Sequence, residues 1–380
     1  MTKPIYLDYA AATPLDERVL KAMQPYFSDN FYNPSATYLA GRAVRTDLET
    51  ARSQIARLLG TRPAEIIFTA GATEANNLAI AGPMRRFPDS ELLVSAIEHE
   101  SVLVPAKKFA AQIIPVTKQG YVDLAKLLLL INDKTVLVSV MLVNNELGTI
   151  QTLREIITQI AKVRQARLKS GNKLPLYLHT DAAQAGNWLD LHVSHLGIDL
   201  MTISGAKIYG PKQTGALFIK AGVQLEPLIA GGAQEFGLRA GTENVAGWVG
   251  LAAALEIAQT ARGKCSKQTT QLRQLFVDEL NKALPRVVIN GGKLTAPHIL
   301  SVSFPGVDNE RLMMQLDEAG VQAAVGSACS ASNNEPSHVL KAIGLSDAHA
   351  RSTLRFSLGR PTTAVEIRQT VKLLKKLADG

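Results

Sequence analysis

Short apolar runs alternate with longer stretches in which apolar positions recur at helical spacing. Runs at 65–69, 91–97, 135–143, 176–180, 199–204 and 216–220 predict strands. The spacing over 42–59 and 153–168 predicts helices, each followed by a terminating glycine, Gly60 and Gly171. Residues 246–283 contain no proline and read as one long helix leaving this first unit. Beyond it, short runs at 287–289, 299–304 and 353–358 mix with helical stretches and a polar loop at 324–335. Strands alternating with helices predict an α/β fold, a mainly parallel sheet covered by helices, followed by a smaller α+β unit. There is no internal repeat and no linker rich in proline or serine.

The composition narrows the class. At 380 residues, 46% hydrophobic and 19% charged, the chain has the makeup of a globular protein of about two folding units. Two cysteines, Cys265 and Cys329, exclude a disulfide framework and point to a reducing compartment, the cytoplasm. The opening MTKPIYLDYAA has no apolar leader, and no apolar stretch approaches the roughly eighteen residues a membrane span needs, so neither export nor membrane insertion is expected. The excess of 41 basic over 33 acidic residues is scattered, without a run of five or an interleaved aromatic stripe. Direct nucleic-acid binding is therefore not expected, whereas small anionic ligands stay open.

In open α/β sheets ligands sit beyond the carboxyl ends of the strands, and the polar clusters fall there. Thr69-Ala70-Gly71-Ala72-Thr73 ends a strand and opens a helix, which makes an anion seat from backbone N–H groups and a hydroxyl, or equally a threonine N-cap. No Walker A or GxGxxG sequence follows a strand. Asp181 follows a buried run, where a carboxylate needs a cation or strong donors, or else caps the next helix. Lys207 follows small uncharged residues, a setting that lowers an amine's pKa, although a lone loop lysine is usually just solvated. Together, a phosphate seat, an acid for a ring nitrogen and an amine for an aldehyde are the parts pyridoxal phosphate requires. His99 supplies a flat face for the ring, or is a satisfied loop histidine.

These residues, with their surroundings, resemble the cysteine desulfurases of the NifS/IscS group, pyridoxal-phosphate enzymes of fold type I within the class V aminotransferases. The likeness runs through Tyr6-Leu7-Asp8-Tyr9-Ala10-Ala11-Ala12-Thr13-Pro14, Gly71-Ala72-Thr73-Glu74-Ala75-Asn76-Asn77, Glu98-His99-Glu100, Asn144-Asn145-Glu146 and His179-Thr180-Asp181-Ala182-Ala183-Gln184. It continues through Lys207-Ile208-Tyr209-Gly210-Pro211-Lys212, Arg239-Ala240-Gly241-Thr242, Gly326-Ser327-Ala328-Cys329-Ser330 and Arg355-Phe356-Ser357-Leu358-Gly359-Arg360. The resemblance implies a large domain, 14–258, with a seven-stranded, mainly parallel sheet between helices. A small domain of 1–13 and 259–380 would carry the cysteine loop. It implies that Lys207 tethers the cofactor and moves protons, that His99 stacks on the ring and joins acid–base steps, and that Asp181 pairs with the ring nitrogen. Asn145 and Gln184 would bond the ring oxygen; Ala72, Thr73 and Ser204 would hold the phosphate, with Thr242 reaching in from the second subunit of a homodimer. Arg355 would clamp the substrate carboxylate, helped by Asn33, with Arg351 and Arg360 as close alternatives. Cys329 would take sulfur from L-cysteine as a persulfide, leaving L-alanine, and pass it to an acceptor protein for iron–sulfur assembly or thiolation of tRNA or cofactors. Cys265, between lysines in the helical linker, reads as a bystander.

Three positions depart from the family pattern. Ala206 stands where a histidine usually precedes the lysine, Tyr38 where a histidine ends the Asn33-Pro34-Ser35 stretch, and Phe236 where an arginine follows Gln234-Glu235. Ala206 motivates a competing reading, a catalytically weakened scaffold in a sulfur-transfer complex. Selenocysteine lyase activity and ordinary transamination also compete with the leading reading, although transamination has no use for Cys329.

Overall fold

The apolar runs become strands and the stretches of helical spacing become helices. The computed structural model describes residues 4–326 and 336–378. Its strands are β1 (Ile5–Tyr6), β2 (Ile66–Thr69), β3 (Glu91–Ser95), β4 (Gln112–Ile114), β5 (Thr135–Ser139), β6 (Tyr177–Asp181), β7 (Leu200–Ser204), β8 (Gly215–Ile219), β9 (Val288–Asn290), β10 (Ile299–Ser303), β11 (Val321–Gln322) and β12 (Thr353–Ser357). Seven form one sheet in the order β2-β8-β7-β6-β5-β3-β4. Its pairings are parallel except where β8 runs against β2 and β7. This is the mainly parallel, seven-stranded α/β sheet the sequence implied.

Neighbouring residues on a strand face opposite sides of the sheet, and the core divides accordingly. Ile66 and Phe68 pack in one layer with Ile55, Trp248 and Leu255, while Ile67 faces the other layer with Ala79, Val94 and Leu217. The strands expected over 91–97 and 135–143 are regular only to Ser95 and Ser139, although the Val140 and Leu142 N–H groups still reach the carbonyls of His179 and Asp181. The apolar residues beyond, Ile97 and Val140 among them, are fully buried. β4 is absent from the elements that periodicity predicts; it is a three-residue edge strand whose Ile113 is exposed, so it carries no buried run to announce it.

The helix Leu39–Leu59 ends on Gly60 at φ 67°, whose N–H returns to the carbonyls of Ala56 and Arg57. Leu153–Ser170 ends the same way on Gly171. Val245–Ala283 is a single helix. Its Trp248, Leu251 and Leu255 pack against the sheet, and its Phe276 and Leu280 enter a separate core with Leu7, Leu300, Leu316 and Phe356. That second core lies on the antiparallel sheet β12-β10-β9 and the parallel pair β1-β11. No helix among the described residues is long and apolar enough to cross a membrane.

Candidate active site

The carboxyl ends of β2, β3, β5, β6 and β7 share one edge of the sheet, and the loops that leave them wall a cavity of about 860 Å³. Ala72, Thr73, His99, Asn145, Asp181, Gln184, Ser204, Lys207 and Arg355 all line it. Six separate stretches of the sequence thus meet in one place.

One end of the cavity is the N-terminus of the helix Ala72–Arg86. Its N-cap is Gly71 at φ 131°, with no side-chain capping bond, and Thr69 spends its hydroxyl on the Gly71 carbonyl at 3.0 Å. The threonine N-cap that the letters also allowed is therefore not made. Gly215 lets β8 come close here, since a Cβ on it would lie 2.6 Å from the Gly71 carbonyl carbon. Uncapped N–H groups beside Thr73 and Ser204 leave this end of the cavity able to receive an anion.

Asp181 is the last residue of β6 and is buried at 4% exposure. Its oxygens accept from Asn76 Nδ2 at 2.7 Å and from the Ala183 N–H at 2.8 Å. Asn76 Nδ2 also donates to Ser101 Oγ at 2.8 Å, and Ser101 Oγ lies 2.8 Å from His99 Nδ1. His99 Nδ1 accepts the Ser101 N–H at 3.1 Å, so the neutral ring carries its proton on Nε2. Burial lowers the His99 pKa, partly offset by the charge of Asp181 and reinforced by that of Lys207. The ring is therefore neutral near pH 7.

Lys207 sits in the short 3₁₀ turn Gly205–Lys207 after β7, and its Nζ donates to the Ala11 carbonyl at 2.5 Å. Arg355, on β12, is 3% exposed and pairs with Asp8 at 2.6 Å while donating to the Asn145 carbonyl at 3.1 Å. Its Nε–H is buried without an acceptor among the described residues. Arg355 nevertheless lines the cavity, so its guanidinium is a cation there that can meet a carboxylate.

Other candidates lie elsewhere. Asn33 is exposed and spends its side chain on the Ser35 N–H at 2.8 Å, so the structure does not bring it to the cavity wall. Thr242 is exposed and outside the wall. Arg360 stacks on Tyr209 and bonds Asn187, and Arg351 is exposed at the end of Asp347–Ala350, which leaves Arg355 as the arginine on the cavity. Cys329 lies outside the described residues. The two stems of its segment meet the rim: Ala324 exchanges backbone bonds with Arg355 at 2.7 and 3.1 Å. On the far side Ser337 Oγ donates to Glu146 at 2.5 Å and His338 Nε2 to the Glu98 carbonyl at 3.0 Å. Ala206 lines the cavity, while Tyr38 and Phe236 are exposed. Asp8 and Asn76 join the site without having stood out in the sequence. Both lie in family-like motifs, and the signal for Asn76 is its place one helical turn beyond Thr73.

Residues 5–370 match the aminotransferase class-V family. The chain belongs to that family. It is 40% identical to the cysteine desulfurase IscS of Dictyoglomus turgidum, over 100% of this chain and 95% of that protein. Identity to the human cysteine desulfurase is 42%, over 97% of this chain and 80% of the human one. Among solved structures, a NifS-like protein superposes with a TM-score of 0.88 at 31% identity, covering 99% of each chain. SspA, solved in complex with cysteine, superposes at 0.79 with 35% identity over 93% of this chain and 98% of its own. This member of the class V family therefore has the pyridoxal-phosphate fold of its relatives. Its cavity fits that cofactor on its own terms: an uncapped helix N-terminus for a phosphate, a buried carboxylate for a ring nitrogen and a lysine on the same wall.

Proposed function

We propose that the chain is a cysteine desulfurase that converts L-cysteine to L-alanine and leaves the sulfur on Cys329 as a persulfide. The observation that carries this reading is the convergence on one cavity of Lys207, Asp181, His99 and Arg355. Pyridoxal phosphate, when bound, supplies an electron sink that loosens bonds around the α-carbon of an attached amino acid. Thr73, Ser204 and the N–H groups at Ala72 would hold its phosphate, Asp181 its ring nitrogen, and Asn145 and Gln184 its ring oxygen. Lys207 would tether it and carry the proton to and from the substrate's Cα. His99, neutral and fixed through Ser101, would give or hold a proton beside the ring. Arg355 would grip the α-carboxylate by a charge-assisted fork, which orients the substrate's thiol.

The sulfur balance closes on the chain itself. The Cys329 thiolate bonds to the substrate sulfur, the substrate's carbon–sulfur bond breaks with its electron pair going to carbon, and protonation of that carbon gives alanine. The stems of the segment bearing Cys329, tied to Arg355, Glu146 and Glu98, support its reach to the cavity. We further read the enzyme as a homodimer in which Thr242 completes the partner's phosphate seat, working in the cytoplasm and passing sulfur to an acceptor protein. The test is product analysis with pyridoxal phosphate, L-cysteine and a thiol reductant. Alanine and sulfide are expected in equal amounts, with at least a 100-fold loss in Cys329→Ser. Turnover that survives Cys329→Ser and consumes a keto acid would make the protein an aminotransferase instead.

A further inference from the structure

His298, the residue before β10, is 2% exposed, and its ring stacks on Trp188 with centroids 4.8 Å apart and planes 16° from parallel. Its carbonyl accepts the Leu358 N–H at 2.7 Å, which ties it to the end of β12. On the cavity side, His298 Nε2 lies 3.2 Å from Gln184 Oε1, and Gln184 Nε2 donates to the Ala10 carbonyl at 2.9 Å. A backbone carbonyl only accepts, so the end of the amide facing Ala10 is the nitrogen and the end facing His298 is the oxygen. The oxygen in turn needs a donor, so the imidazole proton is on Nε2. Nδ1 is left a bare lone pair, consistent with its lack of any partner among the described residues. Burial, then the charge of Arg355, holds the ring neutral by pushing its pKa down to about 3.

We infer that His298 is a positioning residue for the cavity: from behind the wall it fixes the Gln184 amide so that the nitrogen, with its second hydrogen unspent on Ala10, is the end offered to a ligand oxygen. Without the His298 N–H, Gln184 Oε1 loses a buried donor and the amide is held at one end only. The inference rests on the proposed cofactor reading, in which Gln184 donates to the ring oxygen of pyridoxal phosphate.

Titration of the apoprotein with pyridoxal phosphate, followed by absorbance, tests it without reference to turnover. His298→Phe keeps a ring against Trp188 but removes the donor, and should weaken binding about 5- to 10-fold. His298→Asn retains an N–H and should stay within about twofold of the wild type. In a Gln184→Ala background, His298→Phe should cost no more than about twofold, because its effect passes through the amide. Equal losses in both backgrounds, no loss with phenylalanine, or asparagine as weak as phenylalanine would each overturn the inference. If His298→Phe does not fold, His298→Leu enters the same comparison. A wild-type protein that binds no pyridoxal phosphate would sink the cofactor reading itself.

Discussion

Two buried ionisable side chains bring the energetics of the site down to single groups. Glu98 is fully buried next to His99, bonded by the Met141 N–H at 2.6 Å through one oxygen while the other lacks a partner among the described residues. Burial, with Asp181 adding repulsion, pushes its pKa up to about 8. The native chain therefore holds this proton where the unfolded chain, titrating near 4.3, has released it, and stability falls as pH rises from about 4.3 through about 8. Glu98→Gln should flatten that dependence and gain on the order of a few kcal/mol over the wild type at pH 8; calorimetric unfolding between pH 5 and 8 checks it. Parallel curves for the two proteins would contradict it. At Arg355 the geometry of the donors matters more than the charge. Arg355→Lys replaces a planar fork by a point charge and should raise KM for L-cysteine about 10- to 100-fold, with a smaller change in kcat. Steady-state kinetics separate the two. Neither group is visible as a problem in the sequence alone: Glu98 stands in a family-like motif with no role, because what sets its pKa is burial by distant loops. Asp181, Lys207 and His99 are legible because each stands just after an apolar run that the pattern marks as a strand.

Among the elements, the turn Gln234–Gly237 is pinned where its own backbone would not choose to lie. Glu235 and Phe236 have φ of 48° and 57°, and Glu235 is held by Arg52 at 2.7 Å, with both side chains almost wholly buried. Glu235 also accepts the Phe68 N–H at 2.7 Å, and Arg52 donates to the Ile66 carbonyl, so the pair fastens the turn to β2. Removing Glu235 leaves the buried Arg52 with only the more exposed Glu49, at 3.1 Å, as counter-ion and strips the buried Phe68 N–H of its acceptor. Glu235→Ala should lower the unfolding free energy by about 3–5 kcal/mol, read from urea denaturation. A change under about 1 kcal/mol would show the pair to be dispensable. Strand and helix existence is readable from periodicity, and the ends at Gly60 and Gly171 from glycine. Strand ends are not, because Ile97 and Val140, past the ends, are as buried as the residues within the strands. Nor is β4, whose outer face is open to solvent.

Over the whole molecule, the N-terminal segment does more than begin the chain. Leu7 sits in the second core, Asp8 pairs with Arg355, and the Ala10 and Ala11 carbonyls receive Gln184 and Lys207. One short stretch thus joins the core that carries Arg355 to the sheet that carries the lysine, a connection that no local pattern announces. The resemblance in sequence covers it, since the Tyr6–Pro14 motif is part of the likeness, without saying what it touches. The central claim is that Lys207 is the residue that takes the cofactor. The most direct measurement is borohydride fixation of the protein incubated with pyridoxal phosphate, followed by peptide mass mapping. One pyridoxyl group per chain on Lys207, absent from Lys207→Ala along with the visible absorbance, is the predicted result. Label distributed over surface lysines, or unchanged in Lys207→Ala, would contradict it.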